Sequence, residues 1–538
     1  MKNSIVTKII LLLLSIVMIA SALTLTGCPL NTLKAVDTID DNYRTFYQIF
    51  VGSYSDGDGD GTGDLMGIIK RINYLNDGDT TGGKDLGVQG IWLSPIFDAN
   101  TYHKYDTKDY YSIDSKFGTM DDLKELIKLC HERNVKIILD LVINHTSNGH
   151  PWFREFVKAR QMGDTENKYY DYYTCVKSSE KESGKIYYQV PNTQYYYEGN
   201  FSSEMPELNY DNEDVRQDML DVAKYYLDMG IDGFRFDAVK YIYYKDTERS
   251  SAFWDWYMGE LRKDHPDIYV IGECWSPESE VMEYYSAMNC FNFDMSMAGA
   301  NQGMAAYTSK GKNSMYSFAS YIERYQKKIL AENPNGMMIS FLANHDTDRI
   351  AGTFTNENLM KMAANLYLLC SGSPVIYYGE EIGMRGSRGS SNSDVNRRLA
   401  MLWGEAGEYV TDPSEASYPQ SAQIKTTVKT QQRDENSLFS HYQRVISIRH
   451  KYPAIARGEY KALDLSEKNF GGFHITYQGE DLVLLHNTST GAVTYDLSKI
   501  AELCGMSVLE ICDYVGVSTA SVEGTTITVG PHTSVILK

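Results

Sequence analysis

Cysteine is scarce in this chain, with 8 in 538 residues. Beyond Cys28 there remain Cys130, Cys175, Cys274, Cys290, Cys370, Cys504 and Cys512, odd in number and irregular in spacing. Such a set does not make a disulfide framework. No His–Cys pairing marks a thiol nucleophile, and Cys274 beside Glu273 reads as site lining. Positive charge is also short: 51 Lys and Arg against 71 Asp and Glu leave a net charge of −20. Nucleic-acid binding needs a basic surface, so that class is excluded. The acidic balance signals solubility. After residue 25 no apolar run is long enough to span a bilayer. Internal repeats and low-complexity linkers are missing too. Phe is modest (18) where Tyr is abundant (42). Tyrosine joins a flat apolar face to a hydroxyl, which suits sugar rings. Most of these tyrosines are nonetheless ordinary core and interface residues.

What is present begins with a targeting segment. Lys2 and Lys8 precede an apolar run from Ile9 to Leu25, closed by Leu25-Thr26-Gly27-Cys28. A charged start, an apolar middle and a small-residue end make a secretory signal over residues 1–27. Its ending resembles a bacterial lipoprotein signal. The resemblance implies lipidation at Cys28, a tether over 28–42, and an exported enzyme held at the cell surface by a membrane lipid anchor.

The rest of the chain exceeds one ordinary domain, and 43 % hydrophobic residues can fill a large core. Four apolar stretches each end in polar residues. Val135-Lys136-Ile137-Ile138-Leu139-Asp140 runs on to Asn144-His145. Gly233-Phe234-Arg235-Phe236-Asp237 leads into Ala238-Val239-Lys240-Tyr241. Tyr269-Val270-Ile271-Gly272-Glu273 is followed by Cys274-Trp275. Met338-Ile339-Ser340-Phe341-Leu342 leads to Asn344-His345-Asp346. On a strand, residues two apart share a face, so Arg235 and Asp237 point together. Buried strands that finish in catalytic-type residues describe the top of a (β/α)8 barrel.

These stretches, in this order, resemble the four signature regions of the α-amylase family, glycoside hydrolase family 13. The resemblance runs from about Tyr43 to the C-terminus. It implies an α/β fold: a TIM barrel over 43–145 and 208–459, with a domain inserted after strand three at 146–207. A C-terminal all-β sandwich over 460–538 follows. In the family the residue matching Asp237 is the nucleophile, Glu273 the general acid/base, and Asp346 the carboxylate that fixes the sugar. Arg235, His145 and His345 match other site positions, and Asp140 a supporting one.

The intervening chain fits this frame. Strand one, Thr45 to Val51, precedes Asp56-Gly57-Asp58-Gly59-Asp60-Gly61-Thr62-Gly63-Asp64. Alternating carboxylates on a glycine-rich loop suit a hard cation. Gly67 in the twelfth place excludes an EF-hand. The loop resembles that of the oligo-1,6-glucosidase branch, which implies a structural Ca2+ held by Asp56, Asp58, Asp60, Asp64 and the Thr62 carbonyl. A helix over Leu65–Leu75 and a strand over Val88–Leu93 follow. By resemblance, Tyr105 stacks on the sugar at the cleavage point and His103 contacts the same ring. A helix runs from a Thr119 cap to about Arg133. From Thr146 to Glu207 strand–helix alternation stops in favour of tyrosine-rich sequence. Helices over Asn212–Met229, Ser251–Asp264 and Leu438–Lys451 complete the expected barrel, with strands at Cys290–Phe293 and Pro374–Tyr378.

Glycosidic cleavage needs two carboxyls in opposite protonation states. Asp237, Glu273 and Asp346 supply the carboxylates the resemblance requires, which disfavours a non-catalytic glycan-binding protein. Hydrolase and glucosyl transferase share these residues. Within the hydrolases, His103 stands where exo-acting relatives carry an Asp that closes the site. Lys240 matches the residue that holds the chain on the leaving-group side in α-amylases. Together they imply an endo-acting α-amylase on α-glucans, expected as a monomer. Tyr241, where α-amylases usually carry His, keeps neopullulanase-like or cyclomaltodextrinase-like activity as the nearest alternative, with exo α-glucosidase behind it.

Overall fold

The computed structural model describes residues 41–79, 83–296, 303–389, 393–500 and 511–538. The expected signal, Cys28 and the tether up to residue 40 lie outside the described residues. Among the described residues no helix is long and apolar enough to cross a membrane. Cys130, Cys175, Cys274, Cys290 and Cys370 carry free thiols.

Seven parallel strands form one curled sheet: β1 (Phe46–Ile49), β2 (Gly90–Leu93), β3 (Lys136–Leu141), β4 (Gly233–Phe236), β5 (Tyr269–Gly272), β6 (Asn289–Cys290) and β7 (Val375–Tyr377). Their order is β6-β5-β4-β3-β2-β1-β7. The segment Met338–Ser340 closes the ring between β6 and β7. Asn292 N–H donates to Ile339 O (2.8 Å), Ser373 N–H to Met338 O (2.9 Å) and Val375 N–H to Ser340 O (2.8 Å). The barrel therefore has eight staves, as the strand-end motifs led us to expect.

Strand alternation builds two cores. Phe46, Trp92, Ile138, Ile271, Phe291 and Ile339 point into the barrel and pack as one cluster. Their neighbours Tyr47, Ile91, Ile137, Phe234 and Phe236 point outward into the cluster shared with the helices. In β4 this alternation leaves Gly233, Arg235 and Asp237 facing inward. Gly233 is required: its φ is +155°, and a Cβ there would stand 1.8 Å from Tyr269 O.

Caps place the helices. Leu65–Leu75 starts on Asp64, whose carboxylate accepts the Gly67 N–H. Met120–His131 opens on a Thr119/Asp122 capping box. Glu213–Met229 is capped by Asn212 and stopped by left-handed Gly230. The helix before β5 begins at Thr247 rather than Ser251, because the Asp246 carboxylate accepts the Arg249 N–H. Arg449, 1 % exposed, donates to the carbonyls of Leu368 (2.7 Å), Cys370 (2.5 Å) and Gly372. These carbonyls end one helix and lead into β7. Charge-assisted bonds of this kind contribute about 1.5–3 kcal/mol each.

Two elements depart from the sequence reading. A hairpin, Phe97–Ala99 with Thr107–Ile113, follows β2 and lifts the Tyr102–Tyr105 loop above the barrel. The insertion after β3 also contains a helix, Pro151–Met162, beside a three-stranded antiparallel sheet of Cys175–Lys177, Tyr195–Glu198 and Tyr187–Gln189. The insertion is pinned at its base by the His145–Glu207 bridge. At the C-terminus a five-stranded antiparallel sheet lies between the barrel helices and a three-stranded sheet. One face of it, with Phe473, Leu484 and Ile536, joins the main core, and the other, with Val483, Leu485 and Val535, forms a separate core.

Candidate active site

The site grows from the register of three adjacent strands. Asp140 is the cross-strand neighbour of Arg235, and Phe236 of Gly272. Asp237 and Glu273 therefore leave β4 and β5 side by side. Directly after Asp237 the chain turns through Ala238 in the left-handed region (φ 51°), at a cost of about 1–2 kcal/mol. That turn aims the Ala238 N–H at Glu273 Oε2 (2.9 Å).

Arg235 lies at the centre, fully buried. Its Nη1 donates to Asp140 Oδ1 and to Asp237 Oδ1, each at 2.7 Å. Its Nη2 reaches Glu273 Oε2 at 3.5 Å. One positive charge thus serves three carboxyls, which cannot all be ionised cheaply in a shielded site. Asp140 and Asp237 hold the short contacts. Burial, with Asp237 and Asp346 nearby, pushes Glu273 up to about 8 against the pull of Arg235. Glu273 therefore keeps its proton at neutral pH.

Asp346 has a different environment. Its Oδ1 takes Arg398 Nη2 (2.8 Å) and its Oδ2 faces His345 Nε2 (2.9 Å). Burial works against ionisation, but His345 and Arg398 outweigh it and hold the carboxyl well below the usual range. Tyr105 packs flat against His345, with ring centres 5.3 Å apart. Its hydroxyl donates to Asp140 Oδ2 (2.9 Å) and meets His345 Nε2 (2.5 Å). Gln48 Nε2 lies 2.8 Å from His345 Nδ1. His145 presents a buried Nε2 without a hydrogen-bond partner. Burial, reinforced by Arg398, lowers His103 to about 4, so it lines the site as neutral imidazole.

These groups line a cleft of about 480 Å3 whose walls include His103, Tyr105, His145, Asp237, Glu273 and Asp346. The structure brings together six of the residues singled out in sequence. Asp140, Arg235 and His345, read as substrate-binding, sit beneath the cleft at 1 %, 0 % and 0 % exposure. They act by charging and orienting the residues above them. Lys240 Nζ donates to Trp275 O (2.7 Å) and Ser276 Oγ (3.1 Å), bridging the β4 and β5 loops. Tyr241 stacks on Tyr244 (4.5 Å) and packs against Phe201, which reaches into the cleft from the insertion.

Sequence reading missed Arg398, Gln48, Tyr102 and Phe201. Only the Tyr102-His103-Lys104-Tyr105 stretch drew attention to one of them. Arg398 lies far from every motif and is found only once the chain is folded.

Outside the cleft, carboxylate oxygens of Asp56, Asp58 and Asp64 lie within 4.8 Å of one another. This hard oxygen donor set fits a divalent cation such as Ca2+. Asp60, expected as a ligand, is not part of that group: its Oδ1 accepts the Thr62 N–H at 2.7 Å.

An eight-stave barrel with two carboxyls at neighbouring strand ends, Asp237 in short contact with Arg235 and Glu273 raised by burial, carries the carboxyl pair of a glycoside hydrolase. The profile described as "Alpha amylase, catalytic domain" matches residues 48–458. The chain is 33 % identical over 505 residues to "Alpha-amylase 3" of Dictyoglomus thermophilum, covering 92 % of each. It is 29 % identical to "Oligo-1,6-glucosidase" of Bacillus cereus, over 91 % of this chain and 98 % of that one. Among solved structures, Eubacterium rectale Amy13B superposes with a TM-score of 0.84 at 33 % identity, covering 94 % and 97 % of the two chains. The chain belongs to the α-amylase family, glycoside hydrolase family 13.

The charge balance makes a pH prediction. A general acid must be protonated, and Glu273 is protonated below about 8. The kcat/KM profile should therefore fall on the alkaline side near pH 8, approaching tenfold per pH unit. Glu273→Gln should lose most turnover and, with it, this limb. A wild-type profile that stays flat through about pH 9 would exclude Glu273 as the acid.

Proposed function

We propose that this enzyme is an endo-acting α-amylase that hydrolyses α-1,4 bonds in starch-like glucans with retention. The observation that carries the reading is the cleft wall at His103, where a neutral imidazole stands in place of a blocking carboxylate. The similarity to an α-amylase over 92 % of the chain supports it. Asp237, oriented and kept company by Arg235, attacks the anomeric carbon. Glu273 delivers its proton to the leaving oxygen. A glycosyl ester on Asp237 forms, and water, deprotonated by Glu273, then releases an α product. Asp346, ionised against Arg398, accepts hydrogen bonds from sugar hydroxyls, and Tyr105 covers the ring. NMR should show the α anomer first, and Asp237→Asn should cut turnover by orders of magnitude. On soluble starch, maltooligosaccharides should appear early while iodine staining falls fast. Glucose as sole early product would defeat the reading.

A second reading has its own observation. The Phe201–Tyr241–Tyr244 aromatic wall beside Glu273 replaces the expected histidine and favours neopullulanase-like or cyclomaltodextrinase-like specificity. Preference for pullulan or cyclodextrin over starch would decide for it. The same apolar wall would also favour glucosyl transfer to a sugar acceptor.

The Asp56–Asp64 loop is proposed to hold a structural Ca2+ through Asp56, Asp58 and Asp64. The family resemblance adds Asp60 and the Thr62 carbonyl. A ligand bound only to the folded state stabilises it. Chelator should lower the melting temperature of the wild type and have less effect on Asp58→Ala. A wild-type melting temperature indifferent to chelation rules the site out. The N-terminus is proposed to be lipidated at Cys28, holding the enzyme at the cell surface to make importable oligosaccharides. Mass spectrometry of the membrane fraction should find a diacylglyceryl Cys28 terminus. An unmodified terminus elsewhere, released into the medium, would refute it.

A further inference from the structure

The strand Tyr195–Glu198 runs through the middle of the insertion's sheet and ends at Glu198. The chain returns at Glu207, whose N–H donates to Glu198 O (2.9 Å) and closes residues 199–206 into a loop. Phe201 and Met205 of this loop are walls of the cleft. The far half of the loop is tied to the scaffold. Tyr197 Oη donates to Ser203 O (2.8 Å), Asn148 N–H to Glu204 O (2.9 Å) and Thr146 N–H to Pro206 O (3.2 Å). The near half, which carries Phe201, depends on Asn200.

Asn200 sits between two acids. Its N–H donates to Glu207 Oε1 (2.9 Å), its Nδ2 donates to Glu198 Oε1 (2.7 Å), and its Oδ1 accepts the Ile186 N–H (3.0 Å). Glu198 and Glu207 are 2 % and 3 % exposed. Acids are rarely buried so fully unless paired. Lys185 supplies a nearby cation, 3.5 Å from Glu198 Oε2, and shares it with Glu182 at 3.3 Å. Burial and the neighbouring Glu198 push Glu207 up to about 8, against the pull of Asn200 and Lys185. At neutral pH Glu207 is therefore an uncharged acceptor, and the first turn of the loop rests on hydrogen bonds.

Phe201 needs that support, because it is 44 % exposed. Its ring touches His145, after β3, and Tyr241, after β4, with centres 5.2 Å and 4.7 Å apart. Holding a half-exposed side chain in one place costs conformational entropy. Three hydrogen bonds on the preceding residue meet that cost before substrate arrives, which is preorganisation.

We propose that Glu198, Asn200 and Glu207 form a positioning latch that holds Phe201 against the cleft and so sets how tightly an α-glucan is bound there. The proposal rests on the reading of the cleft as an α-glucan site. The latch acts through Phe201 and not on the reacting atoms, so its loss belongs in KM and not in kcat.

In the full-length enzyme, Glu207→Ala removes the acceptor of the Asn200 N–H. It should raise KM for maltoheptaose about tenfold, the equivalent of about 1.4 kcal/mol, with kcat held within about twofold. Asn200→Ala should do the same. Glu207→Gln keeps an Oε1 acceptor in the shape of the protonated acid and should keep the wild-type KM. Melting temperatures report whether each variant folds. In a Phe201→Ala background, where KM is already raised, Glu207→Ala should add less than about twofold, because the two residues act as one unit. Effects that multiply in full across the two positions, or a folded Glu207→Ala enzyme with wild-type KM, would overturn the latch. Hydrogen exchange reads it without turnover: amides of 199–206 should exchange faster in Glu207→Ala and at the wild-type rate in Glu207→Gln. A wild type that leaves starch and maltoheptaose intact would remove the amylase reading, while that exchange difference would still support the latch. Equal exchange in all three proteins would overturn it.

Discussion

Arg235 is the constraint on which the site depends. A guanidinium with no solvent exposure has lost its hydration, at an idealised cost of many kcal/mol. Acids at hydrogen-bond distance offset that loss, and these are Asp237 and Asp140, the latter pushed up to about 7 by burial against the pull of Arg235. The arrangement then determines the third acid. Glu273 stands farther from the charge and is raised by burial and its anionic neighbours, against the pull of Arg235 and of the Ala238 N–H. One buried cation thus separates the environments of two neighbouring carboxyls, 2.7 Å from Asp237 and 3.5 Å from Glu273. That separation is what glycosidic cleavage needs.

Much of this was legible because strand chemistry is local. The two-residue alternation of Gly233-Phe234-Arg235-Phe236-Asp237 fixes which side chains face inward. Caps such as Thr119 and Asn212 state where helices begin. The inserted helix Pro151–Met162 was not read, although Pro151 at its first turn and left-handed Gly163 at its end are the usual signals. Tyrosine density around it marks an inserted domain without strand–helix alternation and assigns no element inside it. The early start of the Thr247 helix was likewise available in Asp246. Arg398 belongs to another category. Its role follows from a long-range contact, and nothing local distinguishes it from Arg397 beside it.

Similar limits explain Lys240 and Asp60. Their positions in the sequence place them on the loops expected, and local partners set their rotamers. Lys240 spends its ammonium on the Trp275 carbonyl, tying the two loops that carry Asp237 and Glu273. The carboxylate of Asp60 accepts a local backbone N–H, as those of Asp56, Asp58 and Asp64 also do, the habit of Asp in tight loops. A motif locates a residue on a stave or loop, and competition among neighbours decides what its side chain does.

The acidic loop and the cleft are joined by the segment from Arg398 to Asp412. Thr411 is bonded to Gly61 of the loop, and Asp412 Oδ1 accepts the Ala400 N–H (2.8 Å). Two residues before Ala400, Arg398 holds Asp346 and donates to the Tyr102 hydroxyl (2.8 Å). A single strap therefore touches the acidic loop, the ionised carboxylate and Tyr102 in the wall of the cleft. Arg398 is buried, and its Nε also donates to His345 O (3.0 Å). With Arg398 fixed, Asp346 stays charged and Tyr102 stays upright, so the electrostatics of the cleft and the shape of its far end depend on the same side chain.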